Sequence, residues 1–158
     1  MPDLDVAIVG AGFGGLGMAT RLRRSGLSCT ILEKAAGVGG TWRENTYPGA
    51  GCDVPSHLYS FSFHQRSWPR RYSGQADILR YLEDLTDAYG LRPGIRFGAE
   101  VVSASFEEGS RRWRVALAGG DEVTARAVVS SVGQLNRPVL PDISGRERFR
   151  GPAWHSAR

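Results

Sequence analysis

The sequence predicts an α/β protein built on a parallel sheet, with a small antiparallel β-meander as an excursion from it. Three observations predict it: a strand–glycine turn–helix–strand unit at 4–33, an amphipathic helix at 75–89, and three β-like runs between 100 and 127. The first run, Asp5-Val-Ala-Ile-Val9, is short and apolar, as a strand covered on both faces requires. It breaks into Gly10-Ala-Gly12-Phe-Gly14-Gly15, then into a stretch with Leu16, Ala19 and Leu22 on one helical face. Gly26 is placed to close that helix, and Ser28-Cys-Thr-Ile-Leu32 is a second strand ending at Glu33. The glycines serve different ends. Gly10 permits the tight turn, Gly12 lets a pyrophosphate approach the backbone, and Gly15 lets helix and strand pack closely. The helix start offers free N–H groups and a positive dipole end to the phosphates. Glu33 is spaced to accept hydrogen bonds from ribose hydroxyls and to repel a 2′-phosphate. Placed between a strand and a helix, with that acid ending the next strand, the pattern indicates a Rossmann-type dinucleotide unit. Its candidate cofactor-binding residues are Gly10, Gly12, Phe13, Gly14, Gly15, Glu33 and Lys34.

Residues 34–73 read as a loop region, in which Gly37–Pro55 is a long segment punctuated by glycine and proline with little periodicity. A loop of that length in a compact domain is usually functional. Gln75–Tyr89 reads as a helix with Ile78, Leu79, Leu82, Leu85 and Tyr89 on one face, Ser73 as a possible N-cap and Gly90 closing it, within a 74–90 segment. Glu100–Phe106, Arg112–Leu117 and Glu122–Ala127 read as a meander spanning 99–127, turned at Gly109 and at Gly119-Gly120-Asp121. Ala127–Val132 reads as a separate return strand ending at Gly133, and Pro138 and Pro141 stop regular structure in 127–158.

Composition narrows the function classes. The chain has 158 residues, one domain's worth, with 41% hydrophobic and 23% charged residues, ordinary for a globular protein. Its net charge of +4 comes almost wholly from arginine, since Lys34 is the only lysine. The arginines fall in short, separated clusters without a nucleic-acid motif, so no nucleic-acid partner is expected. No long apolar run is present, so neither a membrane span nor a signal peptide is expected. Cys29 and Cys52 make no disulfide framework, which suits a reducing cytoplasm.

The loop after Glu33 carries a more specific signal. Gly39-Gly-Thr-Trp42, Asn45-Thr-Tyr-Pro-Gly-Ala50, Cys52-Asp-Val-Pro-Ser56 and Tyr59-Ser-Phe-Ser-Phe63 closely resemble flavin-dependent monooxygenases of the Baeyer–Villiger type, within the wider flavin-containing monooxygenase superfamily. Trp68, Tyr72, Gln75, Tyr81 and Gly133-Gln-Leu-Asn-Arg-Pro138 continue the resemblance, and Phe149-Arg-Gly151-Pro-Ala-Trp-His155 resembles the front of the family's fingerprint. The likeness is greatest to the hydroxyacetophenone monooxygenase branch. Glu44 and Thr46 stand where many members of the cyclohexanone branch carry Trp and Arg.

The resemblance implies FAD here and NADPH in the parent enzyme, with O2 and a small ketone or sulfide as substrates. It implies insertion of one oxygen atom beside a ketone carbonyl; N- or S-oxygenation, or a non-catalytic dinucleotide module, are the alternatives. It adds Gly40, Thr41, Trp42 and Tyr59 to the cofactor set, and places Asp53 near the flavin ring as the candidate catalytic residue, tuning a cation. It also implies an FAD-binding domain incomplete at its C-terminus and inactive alone, because only one G-x-G-x-x-G is present and the family adds a second unit for NADPH. The residues themselves leave plainer readings open. Trp42 and Tyr47 suit packing as well as flanking a ring. Asp53 suits a turn cap before Pro55. Cys52 reads as a small buried apolar group, and His57 and His64 as packing or surface residues without metal-ligand spacing.

Overall fold

The computed structural model describes residues 4–134 and 137–155. Leu135 and Asn136 of the motif at 133–138, and Ser156 to Arg158 after the fingerprint, lie outside the described residues. A six-stranded sheet carries the fold, in the spatial order β3-β2-β1-β6-β5-β4. β1 (Leu4–Val9) lies at its centre, parallel to β2 (Cys29–Leu32) on one side and to β6 (Glu122–Ser130) on the other. A two-residue strand β3 (Ile95–Arg96), without a sequence signal of its own, extends the parallel part beyond β2. β4 (Val101–Glu107) and β5 (Arg112–Leu117) pair antiparallel with each other, and β5 pairs antiparallel with β6.

The side chains of β1 alternate between two cores. Val6 and Ile8 pack with Leu16, Ile31, Tyr81, Leu82 and Leu85 under the helices. Ala7 faces the other way, onto Leu32, Val115, Leu117, Val123 and Ala125 under the meander. A strand buried on both faces has no polar side to show, hence its unbroken apolar sequence.

α1 (Phe13–Arg24) follows the glycine turn and buries Leu16 and Ala19. It closes as expected at Gly26, whose N–H donates to Arg23 O (3.0 Å) while Leu27 N–H donates to Leu22 O (3.0 Å). α3 (Gln75–Ala88) closes in the same way, with Gly90 N–H on Asp87 O (3.0 Å) and Leu91 N–H on Thr86 O (2.8 Å). Both pairs satisfy last-turn carbonyls by the Schellman arrangement.

Three expectations change. Ser73 is not the N-cap of α3: Gly74 holds that position, and Ser73 is buried with its N–H on Ser56 Oγ (2.9 Å) and its hydroxyl 3.0 Å from the same atom. The meander's last strand and the return strand are one strand, β6, because no turn residue separates them. Its first half pairs with β5 and its second half with β1, and only Ala125 is registered to both. The loop region is not wholly irregular, since Thr41–Glu44 forms a single helical turn, α2.

Candidate functional site

The carboxyl ends of β1, β2 and β6 open on one cleft of about 520 Å³. Open α/β sheets place ligand crevices at this edge. Of the twelve residues singled out from sequence, Gly10, Gly12, Phe13, Gly14, Glu33, Lys34, Gly40, Thr41, Trp42 and Tyr59 line it. Gly15 lies behind the wall and Asp53 is absent from the lining.

The floor is backbone. Gly10 turns at φ +100°, and a Cβ there would fall 2.7 Å from Ser131 O. A Cβ on Gly15 would fall 1.9 Å from Gly10 O, so helix and turn are in direct contact. Gly12 differs: its φ of −84° suits any residue, and an added Cβ would meet only Gly40 Cα, at 3.8 Å. Gly40, at φ +52°, approaches Gly12 from the opposite wall. Gly12 is the N-cap of α1, with no side-chain cap and no acid in the first turn, so the N–H groups there face the cleft unshielded. Its opposite end carries Arg21, Arg23 and Arg24, which complement the dipole there.

Glu33 is buried at 5% exposure and is not a surface acid. Its Oε2 accepts from Ala11 N–H (2.6 Å) within the glycine turn, and its Oε1 accepts from Ala35 N–H (2.8 Å). The carboxylate therefore ties the turn to the end of β2, and each oxygen keeps a further lone pair. Lys34, 3.9 Å from Glu44, and Arg137 are the cations of the lining.

The opposite wall is aromatic. Trp42 is buried; its Nε1 donates to Tyr59 OH (3.1 Å) and its ring meets that of Tyr59 edge-on at 5.6 Å. Tyr59 in turn packs edge-on against Phe13 at 4.8 Å. Burial pushes the Tyr59 phenol above its usual range; the bond from Trp42 opposes this, and the Cys52 and Asp53 charges add to it. Asp53 itself is exposed, close enough to Tyr59 to act on it through charge. Tyr47 is 45% exposed and is absent from the cleft lining, whereas Trp42 both packs and faces the cleft. Cys52 is buried, as its apolar reading requires, and both cysteines are free thiols. His57 is exposed, and His64 packs against Tyr81 and Tyr89.

The structure adds lining residues outside the twelve, among them Glu44 and Asn45, the Ala99–Val101 segment, and Ser131 and Val132. For Ser131 and Val132 the signal was topological. β6 lies beside β1, so the residues after β6 necessarily reach the glycine turn. Among the described residues no group of three or more His, Cys, Asp or Glu is placed to hold a metal ion, and no helix is long and apolar enough to cross a membrane.

A glycine turn between β1 and α1, an acid at the end of β2 and a crevice at the carboxyl edge define a Rossmann-type dinucleotide-binding protein. Residues 8–72 match the family model of the NAD(P)-binding Rossmann-like domain. The chain is a relative of the Baeyer–Villiger-type flavin monooxygenases over nearly its whole length. It is 52% identical to a Baeyer–Villiger monooxygenase of Streptomyces coelicolor over 155 residues, 97% of this chain and 30% of that protein. Oxidized steroid monooxygenase bound to NADP superposes with a TM-score of 0.88 at 43% identity, over 99% of this chain and 31% of that one. OTEMO in complex with FAD and NADP superposes with a TM-score of 0.90 at 33% identity, over 99% and 30%. The chain thus spans about 30% of the length of these relatives.

Proposed function

We propose that this chain supplies the FAD-binding part of an NADPH-dependent flavoprotein monooxygenase that inserts one oxygen atom from O2 into ketones. The observation that carries the reading is Gly12. Packing demands glycine at Gly15, but at Gly12 nothing in the protein stands nearer than 3.8 Å to a Cβ. The space left open there lies on the cleft, beside uncapped helix N–H groups, and suits a pyrophosphate. FAD fits the remaining walls. Glu33 has lone pairs to spare for ribose hydroxyls, Lys34 adds positive charge, and the Gly40–Thr41 backbone and hydroxyl suit the second phosphate and the ribityl chain. When bound, FAD would supply the redox chemistry that activates oxygen.

This chain's own residues then bind, orient and exclude water. Phe13, Trp42 and Tyr59 form one packed wall that keeps solvent from the flavin side. Trp42 holds the Tyr59 hydroxyl through its indole N–H, and burial pushes the phenol's pKa above its usual range. Asp53 acts at a distance, through its charge on Tyr59 and on a cation elsewhere in the parent enzyme. The unpaired thiols suit a cytoplasmic setting. Titration of the chain with FAD, with Gly12→Val as the blocked variant, tests the reading.

A further inference from the structure

α3 presents three side chains, one turn apart, to the 38–44 segment. Gln75 Nε2 donates to the carbonyl oxygen of Trp42. Leu79 Cδ1 stands 2.5 Å from where a Cβ on Gly39 would be. Glu83 Oε1 lies 3.9 Å from Arg43 Nη2. The i, i+4, i+8 spacing sets them on one stripe of the helix. They are not equivalent. The Arg43–Glu83 pair has side chains 36% and 40% exposed, and an ion pair of that kind contributes little. The Leu79 contact fixes a distance without fixing an orientation. The Gln75 bond is partly buried and directional.

α2 has four residues and cannot hold its own shape, since a single helical turn closes too few hydrogen bonds to offset its nucleation cost. Its carbonyls lie within the last turn, which lacks intrahelical donors. Thr41 O receives Asn45 N–H (3.0 Å) and Asn45 Nδ2 (2.9 Å), while Trp42 O receives Gln75. The donor comes from the first residue of a fourteen-residue helix, itself anchored by Gln75 N–H on Ala50 O (2.9 Å). Trp42 then passes the constraint on, because its indole N–H holds Tyr59 OH.

We infer that Gln75 is a positioning residue for the flavin-side wall of the cleft, setting Thr41 and Trp42, and through Trp42 the Tyr59 hydroxyl, before any ligand arrives. Its effect on FAD rests on the function proposed above; its effect on the wall does not.

The test compares Gln75→Ala and Gln75→Glu in the full chain. Glutamate at the first position of α3 is favoured by the helix dipole, so a purely structural role predicts that it behaves like glutamine. A positioning role predicts the opposite, since glutamate has no N–H to donate and sets a carboxylate against the Trp42 carbonyl. The readouts are amide hydrogen exchange at residues 41–45 against that in β4–β6, the indole N–H resonance of Trp42, and titration with FAD and with ADP. Both variants should accelerate exchange at 41–45 and shift the indole resonance while β4–β6 stay protected. Both should weaken FAD by about tenfold, the net worth of one hydrogen bond, and leave ADP unchanged, because ADP lacks the flavin half. Unchanged exchange at 41–45 overturns the inference, as does a wild-type-like Gln75→Glu or loss of the sheet in both variants. If the wild-type chain binds no FAD, the function proposal fails, and the exchange data alone decide the role of Gln75.

Discussion

A Cβ on Gly15 would sit 1.9 Å from the Gly10 carbonyl oxygen, whereas one on Gly12 would meet nothing nearer than Gly40 Cα at 3.8 Å. Two substitutions in the same motif should therefore fail in different ways. Gly15→Ala forces helix and turn apart and should lower stability by about 1–3 kcal/mol, the range for overpacking, seen as a lower melting temperature. Gly12→Val should melt like the wild type yet lose FAD, because its side chain takes the room of the pyrophosphate. Glu33→Gln replaces an acceptor with an NH2 group facing either Ala11 N–H or Ala35 N–H. It should weaken FAD by about 1–2 kcal/mol in titration, as for a hydrogen bond to a charged group. An unchanged dissociation constant would leave Glu33 as a clip for the turn alone. The spacing of Glu33 marked it for the ribose, but its hold on Ala11 N–H was invisible in sequence, because that bond joins residues 22 apart.

At the scale of elements, α1, β1, β2, α3 and β5 were legible because each carries both a period and a stop signal. Gly26 and Gly90 stop the helices, and apolar runs mark the strands. What escaped was set by neighbours. β3 has two residues and exists only as an addition to β2, and α2 is held by Gln75. β6 was divided because its two halves serve different partners, which its own residues do not announce. Ten of the twelve residues singled out by the glycine pattern and the loop motif line the cleft, because both signals are local in sequence. Asp53 lies outside that lining, exposed in the 51–56 segment beside the Gly51–Gly74 bridge.

The 56–68 segment adds a pH dependence. Tyr81 OH donates to His64 O (2.8 Å) and accepts from Phe61 N–H (2.8 Å), and the His64 ring packs on Tyr81 and Tyr89. Burial, with the Arg66 charge adding and the Asp84 charge opposing, holds the His64 pKa below its ordinary 6.5. The unfolded chain then binds the proton more readily. Stability attributable to His64 is complete above pH 6.5 and is lost as pH falls through 6.5 toward the folded value. Thermal melts between pH 5 and 7.5 should show that loss, and His64→Gln should flatten it. An equal slope in the variant would assign the dependence elsewhere.

For the molecule as a whole, the cleft at the carboxyl edge and its one glycine pattern suit one dinucleotide. Hydride transfer needs two cofactors held in fixed geometry. Supplied with FAD, NADPH, O2 and a panel of ketones and sulfides, the 158-residue chain should yield no oxygenated product above the free-flavin background. Product above background would place a nicotinamide site within these residues. Val139, Leu140, Ile143, Phe149 and Trp154 stand 57–79% exposed along the last described stretch, an apolar surface of the kind that limits solubility. The function proposed for the chain depends on the cleft at the carboxyl edge binding FAD through the glycine turn. Titration of FAD fluorescence with the wild-type chain and with Gly12→Val, beside thermal melts of both, measures this directly. Saturable one-to-one binding by the wild type, loss of binding in the variant and matching melts are expected. Absence of binding by the folded wild-type chain, or equal binding by Gly12→Val, would refute that role for the turn.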